Sequence, residues 1–316
     1  MSCTAILVGD GAVRHLDSEE AFGYAGPGFL WTHIESESDA LPIAVSRDIP
    51  DLVANALVAT ETRPRCDRID EGAIVNIRGP AAVEIADSDR LVSVRIWARR
   101  GKADSVSRRP LAAMGAVKAQ MEAGKILDPG DLVAAFAREI SEQLDPQVAH
   151  LGDQLDDCES ALEGGNKFRL RTAIARTRSE AIAFRRFVSP DRDALLTLAA
   201  LDVDWLDEAD RLHIREAADR FARMTEELES VRERSALLHE QLTDLRAEEV
   251  DQRSLVIAVV AFIFLPLTFI TGLLGMNVEG IPYAHSHWSF WGVVLFCLAI
   301  GLGVLGWFLR KRWIRR

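Results

Sequence analysis

A long apolar run near the C-terminal end constrains this chain more than any other feature. Residues 254–278 are 25 consecutive uncharged positions, mostly Leu, Ile, Val and Phe, between Arg253 and Glu279. At a rise of 1.5 Å per residue, about 20 such residues cross the hydrocarbon core of a bilayer. A second uncharged run covers 288–309 and ends at the basic sequence Arg310-Lys311-Arg312. The sequence therefore predicts a membrane protein with two C-terminal transmembrane helices.

The first run carries a stripe of small and polar side chains. Its positions alternate in steps of three and four residues, the period of a coiled coil, so they share one helix face. The stripe consists of Asp251, Ser254, Ala258, Ala261, Leu265, Thr268, Gly272 and Gly275. One interpretation is close helix packing, which small residues permit in membranes. The other is the lining of a pore, which the polar residues at its two ends, Asp251 and Asn277, favour.

A short motif stands at the end of this run. The tripeptide Gly275-Met276-Asn277, placed before a short loop between two C-terminal spans, resembles the signature of the CorA family of divalent-cation transporters. The continuation Val278-Glu279-Gly280-Ile281-Pro282 is similar to the zinc-transporting, ZntB-like branch. The resemblance extends over nearly the whole chain and implies a funnel-shaped homopentamer. It also implies an outer mouth at Gly275, Met276, Asn277 and Glu279, where a ring of Asn277 carboxamides holds a hydrated cation.

The pore interpretation gives roles to further residues. Leu265 is expected to form a hydrophobic constriction, where a narrow pore closes by dewetting, and Thr268 a polar ring. Pro266 removes one helix hydrogen bond beside the constriction, which either permits bending or is simply tolerated. Extending the stripe backwards reaches Glu240 and Asp244, which would line a cytosolic acidic mouth as stacked rings. The alternative for these carboxylates is an ordinary solvated helix face in an acidic chain.

The loop between the spans, 279–287, ends in two histidines. Neutral imidazole suits zinc better than magnesium, so His285 and His287 are candidate metal ligands, although loop histidines near a membrane usually bind no metal. Imidazole groups also titrate near neutral pH, which would allow transport to be coupled to protons. The loop contains no Lys or Arg, whereas five basic residues follow the second run. The positive-inside rule therefore predicts an inner-membrane protein with both termini in the cytoplasm.

Composition excludes several other classes of protein. The net charge is −11, and without the five basic residues of the tail it is −16, which argues against nucleic acid as a partner and favours cations. No secretory signal, nucleotide-binding loop, or constellation of nucleophile, base and metal ligands is evident. We therefore expect neither an enzyme nor a bound cofactor. The expected partners are membrane lipid, further copies of the chain, divalent cations such as zinc, and protons.

The predicted domain organisation has six parts. They are an α/β cytosolic domain at 1–205, a stalk helix at 206–253, the first transmembrane helix at 254–278, a periplasmic loop at 279–287, the second transmembrane helix at 288–309 and a basic cytosolic tail at 310–316. The α/β domain is expected to contain a mixed sheet with helices on both sides. Its predicted strands are 29–34, 73–77 and 91–97, and its first clear helix is 49–59, with Pro50 in the first turn.

The pattern is helical from residue 111 onwards. We expect a helix at 131–162, broken near Pro146 and ended by Gly164-Gly165-Asn166, and then helices at 168–187 and 191–201, separated by Ser189-Pro190. The segment 207–251 contains no Gly or Pro and keeps amphipathic spacing. Together with the first span it predicts one helix of nearly 70 residues, about 100 Å long. Such a helix must pack against the soluble domain or against other copies of itself.

The function expected from these features is transport. Two spans in one chain cannot enclose a water-filled path, so a pore requires a homo-oligomer with the stripes around a common axis. The sequence and the resemblance together predict a divalent-cation transporter, with zinc as the first candidate. The alternatives are a magnesium or cobalt channel of the same family and, from a different class, a membrane-anchored coiled-coil scaffold or signalling protein.

Overall fold

The chain divides into two compact units, Met1–His239 and Glu240–Arg316. The computed structural model describes residues 2–9, 12–36, 49–60, 63–83, 90–162, 164, 167–276, 281 and 286–314, without the side chains of 309 and 311–314. In the first unit, seven described strands form one sheet. They are β1 Ser2–Gly9, β2 Ala12–Leu16, β3 Phe29–Glu35, β4 Arg65–Ile69, β5 Gly72–Pro80, β6 Leu91–Arg99 and β7 Lys102–Ser107.

The sheet is mixed, with the order β2-β1-β3-β7-β6-β5-β4. Among the described strands, β3 and β7 pair in parallel, with Leu30 opposite Lys102, and the other neighbours are antiparallel. The three predicted strands are confirmed as β3, β5 and β6. β1 and β2 form a hairpin in which Gly9 lies opposite Ala12, and the two residues between them lie outside the described residues.

The described residues also form seven helices. They are α1 Ser18–Gly23, α2 Asp51–Val58, α3 Met114–Glu122, α4 Pro129–Ser160, α5 Lys167–Ala199, α6 Glu208–Leu274 and α7 Ser289–Ile314. The predicted helix at 49–59 corresponds to α2, except that Pro50 is its N-cap and the helix begins at Asp51. The prediction of one very long helix is confirmed by the 67 residues of α6.

Helices cover both faces of the sheet, as predicted. On one face, Val53 and Leu57 of α2 pack against Ile34, Ile74 and Trp97. Because successive side chains of a strand point to opposite faces, Trp31 lies on the other side from Ile34. There the Trp31 ring meets Phe136 of α4 edge to face, with the ring centroids 5.8 Å apart. The first unit is therefore a sheet between two helical layers.

Two predicted helix breaks are wrong. α4 continues through Pro146 and α5 through Pro190. Proline in a helix interior removes one backbone hydrogen bond. Around Pro146, however, Leu144 and Val148 are both fully buried, and Val188 is fully buried beside Pro190. Burial of apolar residues on both sides offsets the lost hydrogen bond, so tertiary packing overrides the local signal.

The ends of α4 also differ from the prediction. The helix begins at Pro129, two residues earlier than predicted, because the Asp128 carboxylate caps it by accepting the Asp131 N–H at 2.9 Å. It ends at Ser160, before the predicted stop at Gly164-Gly165-Asn166, where Gly165 and Asn166 lie outside the described residues.

Candidate cation pathway

In the second unit, one side of α6 packs against α7. The α6 residues on this side are half-buried and recur at intervals of four and three residues, which places them on one helix face. They are Val259, Ile263, Leu267 and Ile270. The Phe262 ring meets Phe308 of α7 edge to face, with centroids 6.3 Å apart. Both helices are long and apolar enough to cross a membrane by length and composition.

The stripe of small and polar residues lies on the opposite side of α6. At 3.6 residues per turn, its positions fall about half a turn from the residues that α7 covers. Every stripe residue from Asp251 to Gly275 is exposed within the chain, and Leu265 keeps 77% of its surface exposed. The helix continues through Pro266. Packing between α6 and α7 therefore does not account for the small side chains.

The acidic residues before the apolar run are exposed as well. Glu240, Asp244 and Asp251 are all exposed on α6. No ion pair involves any of the three within the described part of the chain. Their charges are therefore available to solvent, which suits either of the two roles considered from the sequence.

The first two residues of the Gly275-Met276-Asn277 tripeptide directly follow the end of α6. The helix ends at Leu274, and the Gly275 N–H donates to the Thr271 carbonyl at 2.9 Å. A Cβ at Gly275 would lie 3.0 Å from that carbonyl oxygen, so glycine suits this close approach. Met276 is half exposed. Asn277 lies outside the described residues.

The remaining predicted site residues belong to the loop. Glu279 and His285 lie outside the described residues, whereas His287 is described and exposed. The distance between the two loop histidines is therefore not among the described geometry, and their role as metal ligands stays a prediction.

A cluster of carboxylates in the first unit was missed from the sequence. One carboxylate oxygen from each of Asp128, Asp131 and Asp210 lies within 4.8 Å of the others. Asp210 stands about 80 residues from the other two in the chain, so no spacing pattern could have revealed the cluster. Oxygen donors of this kind suit a divalent cation.

Each carboxylate of this cluster already accepts a backbone N–H at a helix start. Asp128 accepts from Asp131 at 2.9 Å, and Asp131 accepts from Leu127 at 2.9 Å. Asp210 accepts from Asp207 at 3.0 Å at the start of α6. The bond from Asp131 satisfies a donor in the first turn of α4, and the other two bonds fix residues that precede α4 and α6. The cluster therefore joins the N-terminal ends of α4 and α6, and we assign it no metal.

The closeness of these groups affects how they titrate. Burial raises the pKa of Asp210 to about 7, and the neighbouring carboxylates of Asp128, Asp207 and Asp131 add to the rise. The hydrogen bond from the Asp207 N–H opposes it. Burial likewise raises the pKa of Asp128. Near neutral pH, the start of α6 therefore holds a carboxyl that is close to its titration point.

Comparison with known proteins decides the family. The sequence profile described as "CorA-like Mg2+ transporter protein" matches residues 26–312 of this chain. The chain belongs to the CorA family. It is thus a member of a family of divalent-cation transporters, in agreement with the resemblance found in its sequence.

Three individual proteins resemble the chain over almost its whole length. The zinc transport protein ZntB of Pectobacterium carotovorum subsp. carotovorum (strain PC1) is 27% identical over 311 residues, covering 98% of this chain and 94% of the relative. The full-length CmaX structure is 28% identical with a TM-score of 0.80, covering 99% of this chain and 98% of CmaX. The complete structure of the CorA magnesium transporter from Methanocaldococcus jannaschii has a TM-score of 0.82 at 18% identity, with 98% of each chain covered, and shows the shared fold.

Proposed function

We propose that this protein transports zinc across the inner membrane along the stripe of α6. Family membership makes the chain a divalent-cation transporter. The observation that carries the proposed pathway is the exposure of the stripe on the side of α6 that α7 leaves open. A polar or small face within an apolar span is costly in lipid, so it needs water, ions or another helix beside it.

The proposed pathway requires several copies of the chain. Two helices of one chain cannot surround an aqueous path, whereas cyclic symmetry brings identical stripes to one axis. The resemblance to the CorA family favours a pentamer. In such a ring the stripe residues Asp251, Ser254, Ala258, Ala261, Leu265, Thr268 and Gly272 line the pore, and α7 lies outside them.

The lining provides a sequence of steps for a cation. Rings of Glu240, Asp244 and Asp251 concentrate cations at the cytosolic end, because stacked carboxylates attract positive charge. Leu265 forms the apolar constriction and Thr268 a polar ring next to it. At the outer mouth, the carboxamide of Asn277 binds the hydrated ion. Gly275, Met276 and Glu279 form the rest of that mouth.

Zinc is the proposed ion for two reasons. The zinc transport protein ZntB is similar over 98% of this chain. In addition, His285 and His287 place two imidazole groups in the outer loop, and imidazole prefers zinc to magnesium. Protonation of these histidines would compete with metal binding, which provides a route for coupling zinc movement to a proton gradient.

The proposed topology follows from charge. The loop at 279–287 is free of Lys and Arg and faces the periplasm, while the basic tail at 310–316 faces the cytoplasm. The soluble part at 1–205 and the stalk at 206–253 are then cytoplasmic. The two transmembrane segments are 254–278 and 288–309.

The function is tested by metal flux into proteoliposomes that contain the purified full-length protein. Zinc and magnesium are compared, with and without a pH gradient. We expect zinc flux that increases with an inward proton gradient and is abolished in Asn277→Ala, while that variant keeps the oligomer size of the wild type. Magnesium flux that is indifferent to pH would assign the protein to the magnesium alternative, and absence of any flux would favour the membrane-anchored scaffold.

A further inference from the structure

One exposed face of α5 is basic. It holds Arg178, Ile182 and Arg186, which follow one another at intervals of four residues and so share one side of the helix. Ile182 keeps 49% of its surface exposed. The neighbouring acid, Glu180, pairs with Arg176 at 2.9 Å. Within the described part of the chain, neither Arg178 nor Arg186 forms an ion pair, so an apolar side chain stands here between two unmatched cations.

One exposed face of α4 is acidic and has the same spacing. It holds Asp145, Ala149 and Asp153. Glu227 of α6 lies beside this face, since a Cβ at Gly152 would be 3.5 Å from its Oε1 atom. Burial raises the pKa of Glu227, and the charges of Asp145 and Asp153 add to the rise. Among the described residues, none of these three acids forms an ion pair.

The cations of α6 near this acidic face do not cancel its charge. Arg220 is matched by Glu142 at 2.9 Å, and Arg234 by Glu159 at 2.6 Å. Arg223 is a further exposed cation of α6, but it stands against three unpaired carboxylates. The face therefore keeps an excess of negative charge.

The two faces lie on opposite sides of α6. Glu227 adjoins α4 near Gly152, whereas Glu229 pairs with Arg185 of α5 at 2.9 Å. Two residues correspond to a rotation of about 200° around a helix, so these contacts point in nearly opposite directions. α6 is thus flanked by the acidic face on its α4 side and by the basic face on its α5 side.

The two faces also match in level along the helices. Thr177 of α5 donates to the side-chain oxygen of Gln154 of α4 at 3.2 Å, so the adjacent Arg178 and Asp153 lie at about the same level. α4 and α5 are consecutive helices that pack as an antiparallel pair. Because both faces repeat every four residues, their other members are level as well, Ile182 with Ala149 and Arg186 with Asp145.

We propose that the basic face of α5 docks against the acidic face of α4 in a second copy of this chain. The proposal rests on the proposed function, whose pore requires a ring of copies. Rotation about an axis along α6 carries a face around the ring without changing its level, so residues of equal level meet between neighbours. The contacts between copies are then Arg178 with Asp153, Ile182 with Ala149 and Arg186 with Asp145.

The chemistry of the two faces suits such a contact. Opposite charges orient the two copies and disfavour other registers, in which like charges would meet. At the centre, the large Ile182 side chain meets the small Ala149, which gives an apolar core with a polar rim. The two faces are different and lie on opposite sides of α6, so every copy uses both. A contact of this head-to-tail kind closes into a ring.

The distance between the faces is tested by disulfide cross-linking of the full-length protein in detergent. We expect the double variant Arg178→Cys with Asp153→Cys to form covalent dimers and larger species on oxidation. A bond within one chain would produce no larger species, so these products require neighbouring copies. The matched control is Leu52→Cys with Asp153→Cys, because Leu52 is exposed on α2, across the sheet from α4. This control and each single variant should give only the wild-type background.

The role of charge is tested at the second pair. With cysteines introduced as Asp145→Cys and Arg186→Cys, adding Asp153→Arg should lower the yield of covalent dimer severalfold, because two cations then face each other. Adding Arg178→Asp to that variant reverses the remaining pair and should restore the yield.

Two results would overturn the docking surface. One is a protein of wild-type oligomer size by size-exclusion chromatography in which the Arg178→Cys, Asp153→Cys pair cross-links no more than the Leu52 control. The other is an equal yield at the second pair before and after charge reversal. Zinc flux is a separate readout: cross-linking as expected without zinc flux would reject the proposed function and leave the docking surface intact.

Discussion

Leu265 is the one large apolar side chain in a stripe otherwise made of small and polar residues. Its exposure within the chain means that neighbours in other copies, water or lipid must meet it. If the stripes surround an axis, a ring of these side chains is the narrowest apolar point and resists the passage of a hydrated ion.

We therefore expect Leu265→Ala to increase zinc flux severalfold in proteoliposomes, because a smaller ring is wider and easier to wet. Leu273→Ala provides the matched control, since Leu273 is exposed on the same helix outside the stripe. An equal effect of both variants would remove the special role of Leu265.

Asp210 gives a second prediction at the residue scale. Its pKa of about 7 in the folded protein lies above the ordinary value near 4. Between about pH 4 and pH 7, the Asp210 carboxyl therefore keeps its proton in the folded protein, whereas the unfolded chain has released it. The stability associated with this proton is fully present below that pH and is lost as the pH rises through about 7.

The variant Asp210→Asn should remove this pH dependence. We expect it to be more stable than the wild type at pH 8, by at most about 4 kcal/mol, and similar to it at pH 4. Thermal unfolding of the full-length protein, followed by tryptophan fluorescence between pH 4 and pH 8, measures the difference. Asp219→Asn, at an exposed position of the same helix, is the control, and a parallel pH profile for wild type and Asp210→Asn would refute the assignment.

At the scale of elements, the contact between the sheet and α4 depends on Gly79. A Cβ at this position of β5 would lie 2.7 Å from Cγ1 of Ile140, which is fully buried. We predict that Gly79→Ala destabilises the protein by about 1–3 kcal/mol through overpacking. The control is Gly115→Ala in α3, where a Cβ meets open space and helix propensity favours alanine. The two midpoints of thermal unfolding should move in opposite directions, and an unchanged midpoint for Gly79→Ala would contradict the close approach.

Some elements could be predicted from sequence and others could not, for reasons visible in β7. This strand reads Lys-Ala-Asp-Ser-Val-Ser, yet Asp104, Ser105 and Ser107 are buried. Their burial is possible because of partners on the neighbouring strands: Trp31 of β3 donates its indole N–H to Ser105 at 2.9 Å, and Arg99 of β6 pairs with Asp104 at 2.8 Å. A search for apolar alternation misses such a strand. β2 and β4 are missed because, as edge strands, they expose most of their residues.

The long helix shows the opposite case. Uninterrupted amphipathic spacing from 207 to 251 and the apolar run after it were sufficient to predict α6 as one element. The stripe was also evident from spacing alone. Tertiary contacts, such as that between Phe262 and Phe308, decide which side of α6 packs on α7. These contacts cannot be read from a local sequence pattern. The carboxylate cluster was hidden for the same reason, since it joins the starts of two helices distant in sequence.

At the scale of the whole molecule, a pore along α6 requires several copies that assemble with their stripes facing inward. Outside its basic tail the chain carries a charge of −16, so an assembly of such chains concentrates cations around itself. The family and the zinc-transporting relative give the class of ion. The proposed path runs along the face of α6 that α7 leaves open.

The most direct measurement is zinc flux in proteoliposomes after a bulky residue is introduced into the stripe. Ala261→Phe places a large ring at the centre of the proposed lining, whereas Val260→Phe, at the adjacent residue, places the same ring on another side of the helix. With oligomer size unchanged by size-exclusion chromatography, we predict that Ala261→Phe abolishes zinc flux and that Val260→Phe retains most of it. Zinc flux at the wild-type rate through Ala261→Phe would contradict a pathway along this face of α6.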